Sequence, residues 1–127
     1  MDPTLELRLQ VFAGTEEIDP AVVPLVRAEL DRLPLPEGRR TDEVLGTFVS
    51  HLVNALNRAL LGEPLTVFAA GDVLDAAVAQ RPDAYAHAQQ LAGRAEQVLG
   101  VGLPDTEVRL LCLHLAAMSP HQEGTDR

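Results

Sequence analysis

Two histidines lie in similar apolar surroundings far apart in the chain, each with a charged residue seven positions away. His51 sits in FVSHL and is followed by Arg58, while His114 sits in LCLHL and is preceded by Glu107. On a helix with 3.6 residues per turn, seven positions return to nearly the same face. The spacing therefore predicts one helix face with His51 and Arg58 and another with Glu107 and His114. A shared site follows if the two helices meet.

An imidazole among aliphatic neighbours is either a polar packing residue or a group whose chemistry is used. Burying two imidazole rings costs desolvation free energy that two leucines would avoid. This cost favours the interpretation in which the chemistry of the rings is used. A neutral imidazole is a nucleophile near neutral pH, and the planar fork of Arg58 suits a phosphate group. We interpret His51 and His114 as candidate phosphoryl acceptors. Arg58 is the expected counter-charge, and its removal is expected to cost little stability.

Other site chemistries fit the residues less well. The four histidines, His51, His87, His114 and His121, show no helical i, i+4 pairing, and no carboxylate cluster completes a zinc site. Ser50 points about 100° away from His51 on a helix, so the two do not form a hydrolytic dyad. No glycine-rich phosphate loop is present. We therefore predict no metal, no cofactor and no enzymatic activity.

The composition indicates one helical domain. The 127 residues are 46% hydrophobic with few aromatics, which favours helices over sheets. All 10 basic side chains are arginine against 19 acidic ones, and the net charge of −9 without a basic patch argues against direct nucleic-acid binding. No apolar run approaches a membrane span of about 20 residues, and the acidic N-terminus does not resemble a signal peptide. With a single cysteine, Cys112, a cytoplasmic location is expected.

Capping and periodicity predict only helices. The first segment is ambiguous, because Leu5, Leu7, Leu9 and Val11 alternate as in a strand, but its good helix formers and Gly14 favour a helix. The expected helices run over 3–13, from Pro20 to before Pro34, from Thr41 to about 61, over 72–80, over 82–99, and from Pro104 to about 118. We predict an all-α bundle of five to six helices spanning 1–127, with a loose polar tail over 119–127.

Three segments in this order resemble the PTS regulation domain (PRD) family. The run FVSHLVNALNRALLGE from Phe48 resembles its first histidine motif, and RPDAYAHA from Arg81 its middle segment. GLPDTEV from Gly102, continuing to LHL at Leu115, resembles its second histidine motif. The similarity covers roughly 41–118.

The resemblance implies a domain of antiparallel helix pairs, usually dimeric, that is phosphorylated on its histidines by the sugar phosphotransferase system. It implies that His51 and His114 are the phosphoacceptors and that Asn54, Arg58 and Glu107 are their companions. We expect a free-standing single PRD that regulates sugar metabolism as a homodimer, with a phosphocarrier or sugar-specific component as partner.

Two other interpretations stay open. In one, the chain is an unphosphorylated dimerisation or adaptor domain whose histidines are polar packing residues. In the other, a small enzyme uses His51 and His114 as acid and base.

Overall fold

The computed structural model describes residues 1–63 and 71–118. Within them the predicted all-α fold is confirmed, with six α-helices and no strand. The helices are Pro3–Ala13 (α1), Val22–Arg32 (α2), Asp42–Leu60 (α3), Gly71–Gln80 (α4), Pro82–Leu99 (α5) and Asp105–Met118 (α6), with a short 3₁₀ turn at Glu37–Arg39. The predicted loose tail, 119–127, lies outside the described residues.

Most helix ends follow from local capping chemistry. The Asp2 carboxylate accepts a hydrogen bond from the Leu5 amide, which starts α1 as a helix rather than a strand. The Thr41 hydroxyl caps α3 in the same way by accepting a hydrogen bond from the Val44 amide. Helix α5 begins at Pro82 and ends at Leu99, where it is capped by Gly100, whose φ of +76° is readily adopted only by glycine.

Helix α2 begins two residues later than predicted, at Val22 instead of Pro20. The Asp19 carboxylate accepts from the Ala21 amide at 2.9 Å, forming a turn of its own. The Asp19 amide in turn donates to Oδ1 of Asn57 on α3 at 2.9 Å. These two contacts hold the Asp19–Pro20 pair as a turn before the helix, so the prediction of Pro20 as its first residue was wrong.

The helices pack as two groups of three. Helix α3 packs on α1 and α2, and helix α6 packs on α4 and α5. The two groups contact each other through α2 with α5 and through α3 with α6, and we call the latter contact the α3–α6 joint. Its helices are also central to the hydrophobic core, whose largest fully buried side chains are Leu5, Leu9, Leu30, Leu45, Phe48, Leu52, Leu56, Leu74, Leu91 and Leu111. No helix within 1–63 and 71–118 is long and apolar enough to cross a membrane.

Candidate functional site

The α3–α6 joint brings the two seven-residue pairs together. The ring centres of His51 and His114 are 4.7 Å apart and their planes are tilted by 33°. Two helical turns away, Nη2 of Arg58 donates to Oε2 of Glu107 at 2.7 Å. Sequence numbers rise along α3 as they fall along α6, so the two helices run antiparallel across the joint. The expected meeting of the two faces is therefore found.

Glu107 anchors this joint with a charge that water does not reach. Its side chain is completely buried, and its Oε1 lies 3.6 Å from Nε2 of His51, beyond hydrogen-bonding distance. A buried carboxylate requires a partner, which Arg58 supplies from a side chain that is 34% exposed. Arg58 therefore already holds a buried charge. The expectation that its removal costs little stability is revised for that reason.

Both imidazoles are neutral near pH 7. Burial, with smaller contributions from the neighbouring His114 and Arg58, lowers the pKa of His51 to about 4. Burial also lowers the pKa of His114. A neutral imidazole keeps one nitrogen lone pair for nucleophilic attack.

The surroundings of His51 indicate which nitrogen carries its proton. Nε2 is buried and, in the part of the chain that the structure describes, has no hydrogen-bond partner. Its nearest anionic neighbour is the carboxylate of Glu107. This negative charge favours a proton on Nε2, which leaves the lone pair on Nδ1 as the nucleophilic position.

A surface groove is lined by His114, one of the two rings. It has a volume of about 410 Å³, and its lining includes His114, Arg39, Glu43 and Thr47. Nη2 of Arg39 is bonded at 2.7 Å to the carbonyl oxygen of Met118, the last residue of α6. The described lining of the groove thus contains one cation and one anion beside His114.

Asn54 is not brought to the two rings. It is exposed, and its amide donates to the carbonyl oxygen of Ser50, one turn back on the same helix, at 2.9 Å. The Ser50 hydroxyl accepts from Nη1 of Arg8 on α1 at 2.8 Å.

The remaining titratable candidates lie elsewhere or are buried in the core. His87 is half-buried on α5 and lines a separate pocket of about 210 Å³ with Arg81 and Asp83. Burial lowers the pKa of His87 and raises that of the Cys112 thiol, which is a buried core residue. No group of three or more His, Cys, Asp or Glu side chains among residues 1–63 and 71–118 could hold a metal ion. His121 lies outside the described residues.

Sequence reasoning missed the partner of Arg58. The signal was present, since an antiparallel pairing that opposes His51 to His114 also opposes Arg58 to Glu107. A second buried pair was missed as well: Glu29 on α2 is 1% exposed, and Arg94 on α5 donates to both its oxygens at 2.7 and 2.8 Å.

Comparisons with protein-family models, with curated proteins and with solved structures find no match for this chain. The site is therefore interpreted from its geometry and from the resemblance described above.

Proposed function

We propose that this chain is a PRD-like regulatory module of sugar metabolism whose His51 and His114 accept phosphoryl groups from the phosphotransferase system. The observation that carries the proposal is the pair of neutral imidazoles, 4.7 Å apart, at the joint between the two helix groups. A neutral ring is the form that attacks phosphorus. Its place in the joint gives a modification there a structural consequence.

The transfer itself needs only the ring and a phosphohistidine donor. The lone pair of the accepting imidazole forms a bond to phosphorus while the nitrogen–phosphorus bond of the donor breaks. One proton passes from the accepting ring to the leaving imidazole of the donor, through solvent or directly. At His51, Nδ1 attacks and the proton on Nε2 lies beside the carboxylate of Glu107. The donor supplies the chemistry, so the module is a substrate of the transfer and not an enzyme.

The expected regulatory effect arises from the new charge. A phosphoryl group adds nearly two negative charges beside a buried carboxylate that depends on Arg58. If Arg58 turns to the phosphoryl group, the ion pair between Arg58 and the buried Glu107 carboxylate is lost. If Arg58 stays bonded to Glu107, the negative phosphoryl group lies near the negative Glu107 carboxylate without a cation of its own. Both outcomes weaken the α3–α6 joint, and a downstream partner can read that change.

The proposal includes a cytoplasmic homodimer that receives its phosphoryl group from a phosphocarrier or sugar-specific component and does not itself bind nucleic acid. The net charge of −9 supports the last point. Light scattering across micromolar concentrations tests the dimer, and a monomer throughout would contradict it.

Phosphotransfer followed by intact mass tests the function. The protein is incubated with phosphoenolpyruvate and the general phosphotransfer components, then kept at neutral to alkaline pH, where phosphohistidine survives. We expect incorporation into wild type and into His87→Gln, which changes a half-buried histidine outside the site. We expect none in the double variant His51→Gln/His114→Gln. An unmodified wild type beside a phosphorylated control acceptor would refute the proposal and favour the adaptor interpretation.

A further inference from the structure

The closeness of the two imidazoles limits how much charge the site can take. Each phosphoryl group would be bonded to a nitrogen of a ring whose centre lies 4.7 Å from the other. Two such groups would be separated by a distance comparable to the Debye length, about 8 Å at physiological salt. Solvent ions therefore screen their mutual repulsion only in part.

The local charges are already balanced before any phosphoryl group arrives. On the His51 side, Arg58 is bonded to the buried carboxylate of Glu107. On the His114 side, the groove holds Arg39 and Glu43, one charge of each sign. Among residues 1–63 and 71–118, these two cations and two anions balance, so the described part of the site has no surplus positive charge to neutralise a phosphoryl group. A group on His51 has to draw Arg58 away from Glu107. A group on His114 instead lies beside Arg39, which is bonded to the carbonyl oxygen of Met118. Each ring thus has one arginine near it, and a second group would still meet the charge of the first.

Burial makes this repulsion harder to relieve. The side chain of His51 is 16% exposed and that of Glu107 is completely buried. Charges in such surroundings interact more strongly than charges in water, because less solvent lies between them. The two tilted rings also lie between two packed helices, so neither ring can swing out without disturbing the core around it.

We propose that His51 and His114 form one acceptor site that holds a single phosphoryl group, on one ring or the other, with occupation of either ring excluding the other. The inference rests on the proposed function and goes beyond it by fixing the stoichiometry. Its consequence is that the module reports whether a donor has acted and not how many times. Two donors that address different rings compete for one site.

Exhaustive phosphorylation of the full chain tests the exclusion. Wild type, His51→Gln, His114→Gln and the control His87→Gln are each driven to a plateau with the same donor system, and the groups per chain are counted by intact mass. We expect one group in all four proteins. The doubly modified form of wild type should stay near or below about one part in a hundred, because in surroundings less polar than water the repulsion of two such groups suppresses the second addition by about that factor.

Peptide mapping of modified wild type at alkaline pH provides a measurement that does not depend on a variant folding. His51 and His114 lie 63 positions apart, so they fall in different proteolytic peptides. Singly modified wild type should contain molecules carrying the group on His51 and others carrying it on His114.

Two results would overturn the exclusion while leaving the proposed function intact. One is a plateau of two groups in wild type. The other is a folded single variant that accepts none, together with wild-type modification confined to one peptide, since a single competent ring then explains the count. Absence of incorporation in every protein would instead refute the proposed function, and the exclusion with it.

Discussion

Replacing Arg58 by methionine should destabilise the protein by about 2–3 kcal/mol. The substitution keeps an aliphatic stem of similar length and removes the charge that Glu107 needs. Removing one partner of a fully buried ion pair typically costs about 3–5 kcal/mol. Because 34% of the Arg58 side chain is exposed, water already weakens its end of the pair, so we expect a cost below that range.

Arg109 provides a matched control on the facing helix. Its side chain is 30% exposed, close to the value for Arg58, but its partners Asp75 and Asp105 are 67% and 60% exposed. Exposed ion pairs contribute little, so Arg109→Met should change the free energy of unfolding by no more than about 0.5 kcal/mol. Because the two arginines are similarly exposed, a difference between the two variants reports the effect of burying the acidic partner.

The two partners of the Arg58–Glu107 pair should respond unequally. Glu107→Gln leaves an arginine that can turn to water, so its expected cost is about 1 kcal/mol, smaller than that of Arg58→Met. The double variant removes both charges and should recover part of the Arg58→Met loss. Urea unfolding at pH 7 measures all four proteins. An Arg58→Met variant as stable as Arg109→Met, or a double variant with fully additive losses, would refute this account of the pair.

Three further expectations concern stability. The folded ring of His51 titrates near 4 and the unfolded ring near 6.5, so the unfolded state binds more protons between these values and the free energy of unfolding falls as pH decreases through that window. The free energy of unfolding should fall by at most about 3 kcal/mol from this cause. Urea unfolding at pH 7, 6 and 5 should show a smaller fall for His51→Gln than for wild type, whereas the same pH dependence in both proteins would contradict the lowered pKa of His51. Arg94→Met leaves the buried Glu29 with only the more distant Arg32, whose Nε is 4.0 Å away, and should cost about 2–4 kcal/mol in the same assay, a prediction that a change under 0.5 kcal/mol would exclude. Asn57→Ala removes two hydrogen bonds to the backbone between α1 and α2 and should lower stability by about 2 kcal/mol, with faster amide exchange at Asp19; unaltered exchange there would count against it.

Local signals were sufficient to predict the helices, because capping and periodicity act within a few residues. Helix α3 shows this best: Thr41 caps it and its predicted end is within one residue of the observed one. Helix α1 needed tertiary information, since its alternating apolar residues fit two periods. Packing resolves the ambiguity by burying Leu5 and Leu9, one turn apart, and leaving Leu7 and Val11 about 60% exposed.

The candidate site was only partly predictable, because some of its contacts depend on how distant helices pack and not on local sequence. The seven-residue spacings specify which side chains share a helix face, and that is local information. The pairing of Arg58 with Glu107 spans 49 positions and depends on how α3 and α6 align. Asn54 was assigned to the site by resemblance alone, and its amide instead bonds to the backbone carbonyl of Ser50. Such competition between side chain and backbone does not follow from sequence spacing.

Burial links the reactivity of this site to the cohesion of the fold. The same exclusion of water that keeps His51 neutral also makes Glu107 dependent on Arg58. A histidine retained only for packing is expected to satisfy its polar atoms, yet Nε2 of His51 has no hydrogen-bond partner among the described residues. Leucine at both ring positions would fill the joint without that cost. The arrangement is therefore better suited to a group whose charge changes than to one that only fills space. Since the changing charge would arise where the two helix groups meet, a single modification can act on the whole bundle.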